Sequence, residues 1–87
     1  MTFRLNRVET GQRVTFGFSG ELTRQELTEI ARMIGRERSV PIVFDLADLT
    51  TASREGIEYL RQAAAKGTEL VNCPPYIGRW IGAEEQD

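Results

Sequence analysis

The sequence predicts an α/β protein: one small, mixed and mostly parallel sheet with helices packed on it, in the order β-β-α-β-α-β-α. Two segments near the start alternate apolar and polar residues. A continuous apolar run, Val40-Pro41-Ile42-Val43-Phe44, then sits between two stretches of helical spacing, and a short apolar segment follows the second of them. Strands that alternate with helices imply parallel neighbours joined by crossovers.

From Thr2 to Val8, Phe3, Leu5 and Arg7 share one side and Arg4 and Asn6 the other, which predicts a half-buried strand. Glu9 to Gln12 supplies a turn. Arg13 to Phe18 alternates again, with Val14, Phe16 and Phe18 or their neighbours facing the core, and Ser19-Gly20-Glu21-Leu22 breaks the pattern. Thr23-Arg24-Gln25-Glu26 fits a capping box, in which Thr23 accepts a backbone N–H and Glu26 reaches back. The helix that follows sets Leu27, Ile30, Ala31 and Ile34 inward and closes near Gly35, with Arg24, Glu29, Arg32 and Arg36 on a solvated outer face.

The run from Val40 to Phe44 ends in Asp45 and reads as a central strand covered on both faces, with Pro41 tolerated only at its start. A second helix is expected from about Ser53 to Lys66, with Ile57, Leu60 and Ala64 inward and Gly67 as its stop. Glu69 to Asn72 forms a short last strand, and Pro74-Pro75 opens a final helix.

Eighty-seven residues make one domain, assigned to 1–81 with an acidic tail over 82–87. The charged share, 28%, favours solubility, and the net charge of −2 without a basic run argues against a nucleic-acid partner. Without a signal-peptide pattern or a run of about 18 apolar residues, membrane insertion is not expected and a cytosolic location is. Cys73 is the only cysteine and histidine is absent, so zinc sites built from both and His-assisted serine or cysteine catalysis are excluded. No catalytic residue, cofactor or metal ligand is assigned.

Candidate binding residues gather where the third strand meets the second helix, in DLADLTTASREG. Ser53 caps the helix. Arg54 falls in its first turn, where the helix dipole disfavours a cation by roughly 0.3–1 kcal/mol. One reading makes Arg54 the grip for a carboxylate or phosphate on a partner; the other leaves it in solvent or paired with Glu55 or Glu58. Asp45 and Asp48 resemble a magnesium pair, but a lone pair is weak support and turn formation by Asp48 is the better account. In the last segment, residues 73, 76, 77, 80 and 81 fall on one helical stripe that covers the sheet. Tyr76 and Trp80 are the candidate aromatic anchors if part of that stripe is exposed. Cys73 then serves as a small buried apolar residue rather than a reactive thiol.

The order and spacing of several short motifs resemble those of STAS domains, the module named for sulfate transporters and anti-sigma factor antagonists. These are Phe18-Ser19-Gly20-Glu21-Leu22, Val43-Phe44-Asp45-Leu46, the Gly56-Ile57 helix entry and Lys66-Gly67-Thr68-Glu69-Leu70-Val71-Asn72. The likeness extends to Ile81; a further strand and a long last helix, present in many such domains, have no counterpart here. In the family, a Gly-Glu-Leu-Asp motif ends the second strand, and an Asp-Ser-Ser-Gly motif opens the second helix. The first serine of the latter is phosphorylated, which releases the antagonist from an anti-sigma kinase. Here Thr23 stands at the first aspartate position and Arg54 at the acceptor position, in Ser53-Arg54-Glu55-Gly56. Arginine accepts no phosphoryl group as serine does, and its charge does not imitate a phosphoserine. Thr50, Thr51 and Ser53 are nearby hydroxyls for a displaced acceptor, although Ser53 is committed as a cap.

The resemblance implies a non-catalytic interaction module. Its surface comprises Asp48, Thr50, Thr51, Ser53, Arg54, Glu55 and Glu58, and its partner is an anti-sigma factor kinase or another partner-switching component. The runner-up is a STAS accessory subunit that docks on the ATPase of an ABC transporter; a small enzyme or ligand carrier comes last. A homodimer is also expected to be open to the chain, through an edge strand or the 76–81 stripe.

Overall fold

The structure, a computed structural model, describes residues 3–37 and 41–79. It contains β1 (Phe3–Thr10), β2 (Arg13–Leu22), α1 (Arg24–Ile34), β3 (Ile42–Ala52), α2 (Arg54–Ala65), β4 (Glu69–Val71) and a short helix, α3, over 75–79. The expected element order is observed. The sheet runs β1-β2-β3-β4 in space as in sequence, with β1–β2 antiparallel and the remaining pairs parallel.

That order places the helices. Each parallel connection steps to the next strand in the same direction, and connections of one hand then lie on one face of the sheet. Accordingly α1 and α2 pack on the same face, over Phe16, Phe18, Phe44 and Leu46. The expectation that β3 is covered on both faces is therefore corrected. On its far face Val43 is buried, but Asp45 is half-buried and Asp48 exposed, and no described helix covers them.

Both central strands are longer than the sequence suggested. In β2 the inward alternation Val14, Phe16, Phe18 continues to Leu22 through Gly20, which has no side chain to reveal it. Phe3 of β1 lies opposite Gly20, and its ring meets Phe18 edge-on at 6.0 Å. In β3 the strand continues past Asp45 to Ala52, with an extra residue inserted at two places: Gly17 and Ser19 face Asp45 and Asp48, and Gly20 and Glu21 face Leu49 and Thr51. Each bulge shifts the inward set by one, so the core receives Phe44, Leu46, Leu49 and Ala52.

The bulges are held by side chains. The Ala47 N–H donates to Asp45 Oδ1 at 3.0 Å, and Thr50 Oγ1 donates to the Gly20 carbonyl at 2.8 Å. Asp48 thus sits inside a strand rather than making a turn. Asp45 Oδ1 also accepts from Asn72 Nδ2 at 3.2 Å, which ties β3 to the residue after β4, where Asn72 has φ 54°.

The capping box at α1 is present. The Thr23 hydroxyl and N–H both donate to Glu26 Oε1, at 2.6 and 2.9 Å, and Gln25 N–H donates to Thr23 Oγ1. Inward on α1 are Ile30, Leu27, Met33 and Ile34; Ala31 is exposed, a correction, because the inward stripe extends from Ile30 toward Met33 and Ala31 lies on the other side of Ile30, at the margin of the stripe. On α2 the buried residues are Gly56, Ile57 and Leu60, with Ala63 packed beside them. Tyr59 lies parallel to Phe44 at 6.4 Å between ring centroids. Ile77 of α3 joins the same core. None of the described helices is long and apolar enough to cross a membrane.

Candidate functional site

The junction between β3 and α2 is tied to β2 through its backbone. Ser53 is the N-cap, and its Oγ accepts the Gly56 N–H at 3.2 Å while its own N–H donates to the Leu22 carbonyl at 2.8 Å. Gly56 lets the first turn of α2 lie against β2: a Cβ there would sit 3.0 Å from both Leu22 Cγ and Leu22 O. The junction therefore holds the start of α2 in fixed register with the end of β2.

The candidate residues fall into two groups on this frame. On β3, Asp48 and Thr51 pair in register with Ser19 and Glu21, on the face of the sheet that carries no described helix. Asp48 shares a polar depression there with Arg4, Asn6, Ser19 and Asp45. On α2, Arg54, Glu55 and Glu58 border a shallow groove whose walls include Leu27 of α1 and Tyr59 and Gln62 of α2. The structure does not bring Asp48 to this groove.

Within the α2 group, Glu58 is engaged: it accepts from Arg61 at 2.7 Å and from Gln62 at 3.2 Å. These bonds, the Arg61 bond foremost, hold its carboxyl below the usual carboxylate range. Arg54 and Glu55 are exposed, and neither makes a hydrogen bond or ion pair among the described residues. The local pairing of Arg54 with Glu55 or Glu58 is thus not observed, although the Arg54 charge adds a small pull on Glu58.

The hydroxyls divide in the same way. Thr50 is spent on Gly20 and Ser53 on its cap, whereas Thr51 is exposed and unbonded among the described residues. Tyr76 is 44% exposed, and its hydroxyl reaches the Leu49 carbonyl at 3.4 Å, so this candidate anchor stands against β3 at the edge of the junction. Trp80, the other anchor, and Ile81 lie outside the described residues, as does the tail over 82–87. Cys73 is half-buried against the core, and burial pushes its thiol pKa up, away from the reactive thiolate.

The sequence reading missed Leu27, Tyr59 and Gln62 as groove residues. The signal was present: Glu55, Tyr59 and Gln62 are spaced i, i+4, i+7 and form one stripe of α2. Burial raises the Tyr59 phenol pKa, so it stays a neutral hydroxyl at the groove wall. No group of three or more His, Cys, Asp or Glu side chains with metal-binding geometry occurs among the described residues. In comparisons with known proteins, the chain matches no family model and no curated protein.

Proposed function

We propose that this chain is a STAS-like, non-catalytic interaction module of the cytoplasm that docks a regulatory protein partner at the start of α2. The observation that carries the reading is Arg54. It is a cation in the first turn of a helix, where the dipole disfavours it, yet it has no hydrogen-bonding or ion-pair partner among the described residues. An exposed guanidinium at a junction tied to β2 suits recognition of a carboxylate on an opposing surface. The exposed Tyr76 ring beside Leu49 supplies an aromatic contact of the kind that anchors interfaces.

By resemblance to anti-sigma factor antagonists, the partner is an anti-sigma factor kinase. With Arg54 at the acceptor position, binding there is constitutive or is governed through the partner. The alternative partner, by the same resemblance, is the ATPase subunit of an ABC transporter. Affinity capture from native extract, with the wild type beside Arg54→Glu, separates these readings. Recovery of a kinase-like anti-sigma factor by the wild type alone supports the first, and recovery of a transporter ATPase supports the second. Identical protein sets on both baits count against the junction as the docking surface.

A further inference from the structure

On the face of the sheet away from α1 and α2, two cross-strand rows build one trough. Register sets Arg4, Ser19 and Asp48 in one row and Asn6, Gly17 and Asp45 in the next. The wall on β1 is thus a guanidinium and a carboxamide, the floor on β2 a hydroxyl and a glycine, and the wall on β3 two carboxylates. Residues three apart on a regular strand point to opposite faces. The bulge between Asp45 and Asp48 brings both onto this one, the kind of re-aiming that bulges perform beside functional sites. Gly17 keeps the floor low, because a Cβ there would collide with Asn6 Oδ1. The trough holds about 270 Å³, near the lower end for small-molecule sites. Its polar groups are unspent. Among the described residues the side chains of Arg4, Asn6, Ser19 and Asp48 make no hydrogen bond or ion pair. Asp45 is held through Oδ1 alone, by Ala47 and Asn72, which fixes its carboxylate and leaves Oδ2 open.

We propose that this trough binds a basic α-amino acid such as lysine, independently of the Arg54 junction on the other face. Charge decides the class. A bare metal ion or a diamine drawn to the two carboxylates meets the Arg4 guanidinium, and a phosphate drawn to Arg4 meets the two carboxylates. Glu21, on the same face, lies outside the trough and does not pair with Arg4. A ligand with one carboxylate and two ammonium groups sets every charge against its opposite. Its carboxylate takes the two parallel N–H bonds that a guanidinium offers, beside the Asn6 amide and the Ser19 hydroxyl. Its ammonium groups meet Asp48 and the open oxygen of Asp45. Spacing agrees with this. The rows of Asp45 and Asp48 are two residues apart on β2, about 6.6 Å, comparable to the five-carbon span between the two amino groups of lysine. The walls on β1 and β3 stand two strand spacings apart, about 9.6 Å between backbones, and no Arg4–Asp48 pair closes that gap.

Titration of the isotope-labelled full chain, followed by residue-resolved amide chemical shifts, tests this with three probes: lysine, alanine and cadaverine, the diamine that lysine leaves without its carboxylate. Lysine is expected to give saturable shifts at millimolar concentration, centred on residues 4–6, 17–19 and 45–48, and to bind more tightly than either other probe. Asp48→Ala is expected to weaken lysine about fivefold or more. Arg4→Ala separates the charges: it weakens lysine by a similar factor and strengthens cadaverine, because the same guanidinium attracts one probe and repels the other. Both positions are exposed, and the amide spectrum of each variant reports its fold directly. Opposite responses of the two probes are not the signature of a misfolded variant. Absence of saturable shifts with lysine overturns the proposal. So does alanine or cadaverine binding as tightly as lysine, or an Arg4→Ala variant in which lysine and cadaverine change in the same direction.

Discussion

The backbone N–H of Ser53 donates to the Leu22 carbonyl at 2.8 Å, so the cap of α2 hangs on the last residue of β2. That bond fixes the carbonyl which a Cβ on Gly56 would approach to 3.0 Å. Relief by moving Leu22 O would lengthen the Ser53 bond, and Leu22 itself is fully buried. Gly56→Ala is therefore expected to destabilise by about 1–3 kcal/mol, despite a gain in helix propensity of about 1 kcal/mol. Urea unfolding checks the sign; a more stable variant would show that the junction yields.

Ser53→Ala removes the acceptor of the Gly56 N–H and is expected to cost about 1 kcal/mol by the same measurement. The Ser53–Leu22 backbone bond survives that change, so the variant should retain its fold. A partner that binds the wild type should still bind it, although more weakly if the first turn of α2 frays.

Arg54→Glu exchanges an exposed cation for an anion at a helix start, which the dipole favours. Its stability is expected to stay within about 1 kcal/mol of the wild type, while partner capture is lost. Thermal unfolding beside capture separates the two effects. A variant that unfolds early would make the loss of capture uninformative about the surface.

Much of this was legible in the sequence because it depends on local chemistry. The Thr23–Glu26 box, the Val14-Phe16-Phe18 alternation and the Pro74-Pro75 helix start are short-range patterns. What escaped was β3 beyond Asp45. Its inward residues after Leu46 are Leu49 and Ala52, spaced by three because of the two bulges, and a spacing of three erases the period that marks a strand. Gly20 hid the continuation of β2 because its inward position carries no side chain. The division of the candidate residues between two faces follows from the same bulges. No local pattern announces that Asp48 lies on the face away from the helices while Arg54 lies with them.

Asp45 works as a clamp, since its Oδ1 accepts from both Ala47 and Asn72. Asp45→Ala is expected to cost about 1 kcal/mol through loosening of the first bulge, whereas Asp48→Ala stays within about 0.5 kcal/mol of wild type. Magnesium added to the wild type should leave the melting midpoint unchanged. A magnesium-dependent rise that Asp48→Ala abolished would restore the paired-carboxylate reading.

Acid should unfold the chain partly through its caps and pairs. Hydrogen bonds from Thr23 hold the Glu26 carboxyl below the usual range, as Arg7 does for Glu37 and Arg61 for Glu58. For a carboxylate depressed in the folded state, the unfolded chain binds the proton first. The stabilisation is thus complete above the unfolded pKa and is lost as pH falls through the folded one. The window therefore opens near the ordinary glutamate value of about 4.3 and runs downward. Thr23→Val deletes the hydroxyl that Glu26 accepts from and is expected to cost about 1 kcal/mol near neutrality. The gap to wild type should narrow as Glu26 takes up its proton. It should not close, because the Thr23 hydroxyl also accepts the Gln25 N–H, a bond indifferent to that proton. Urea midpoints of both proteins, followed from neutral pH to about pH 3, check this, and a gap that widened in acid would contradict the assigned role of Glu26.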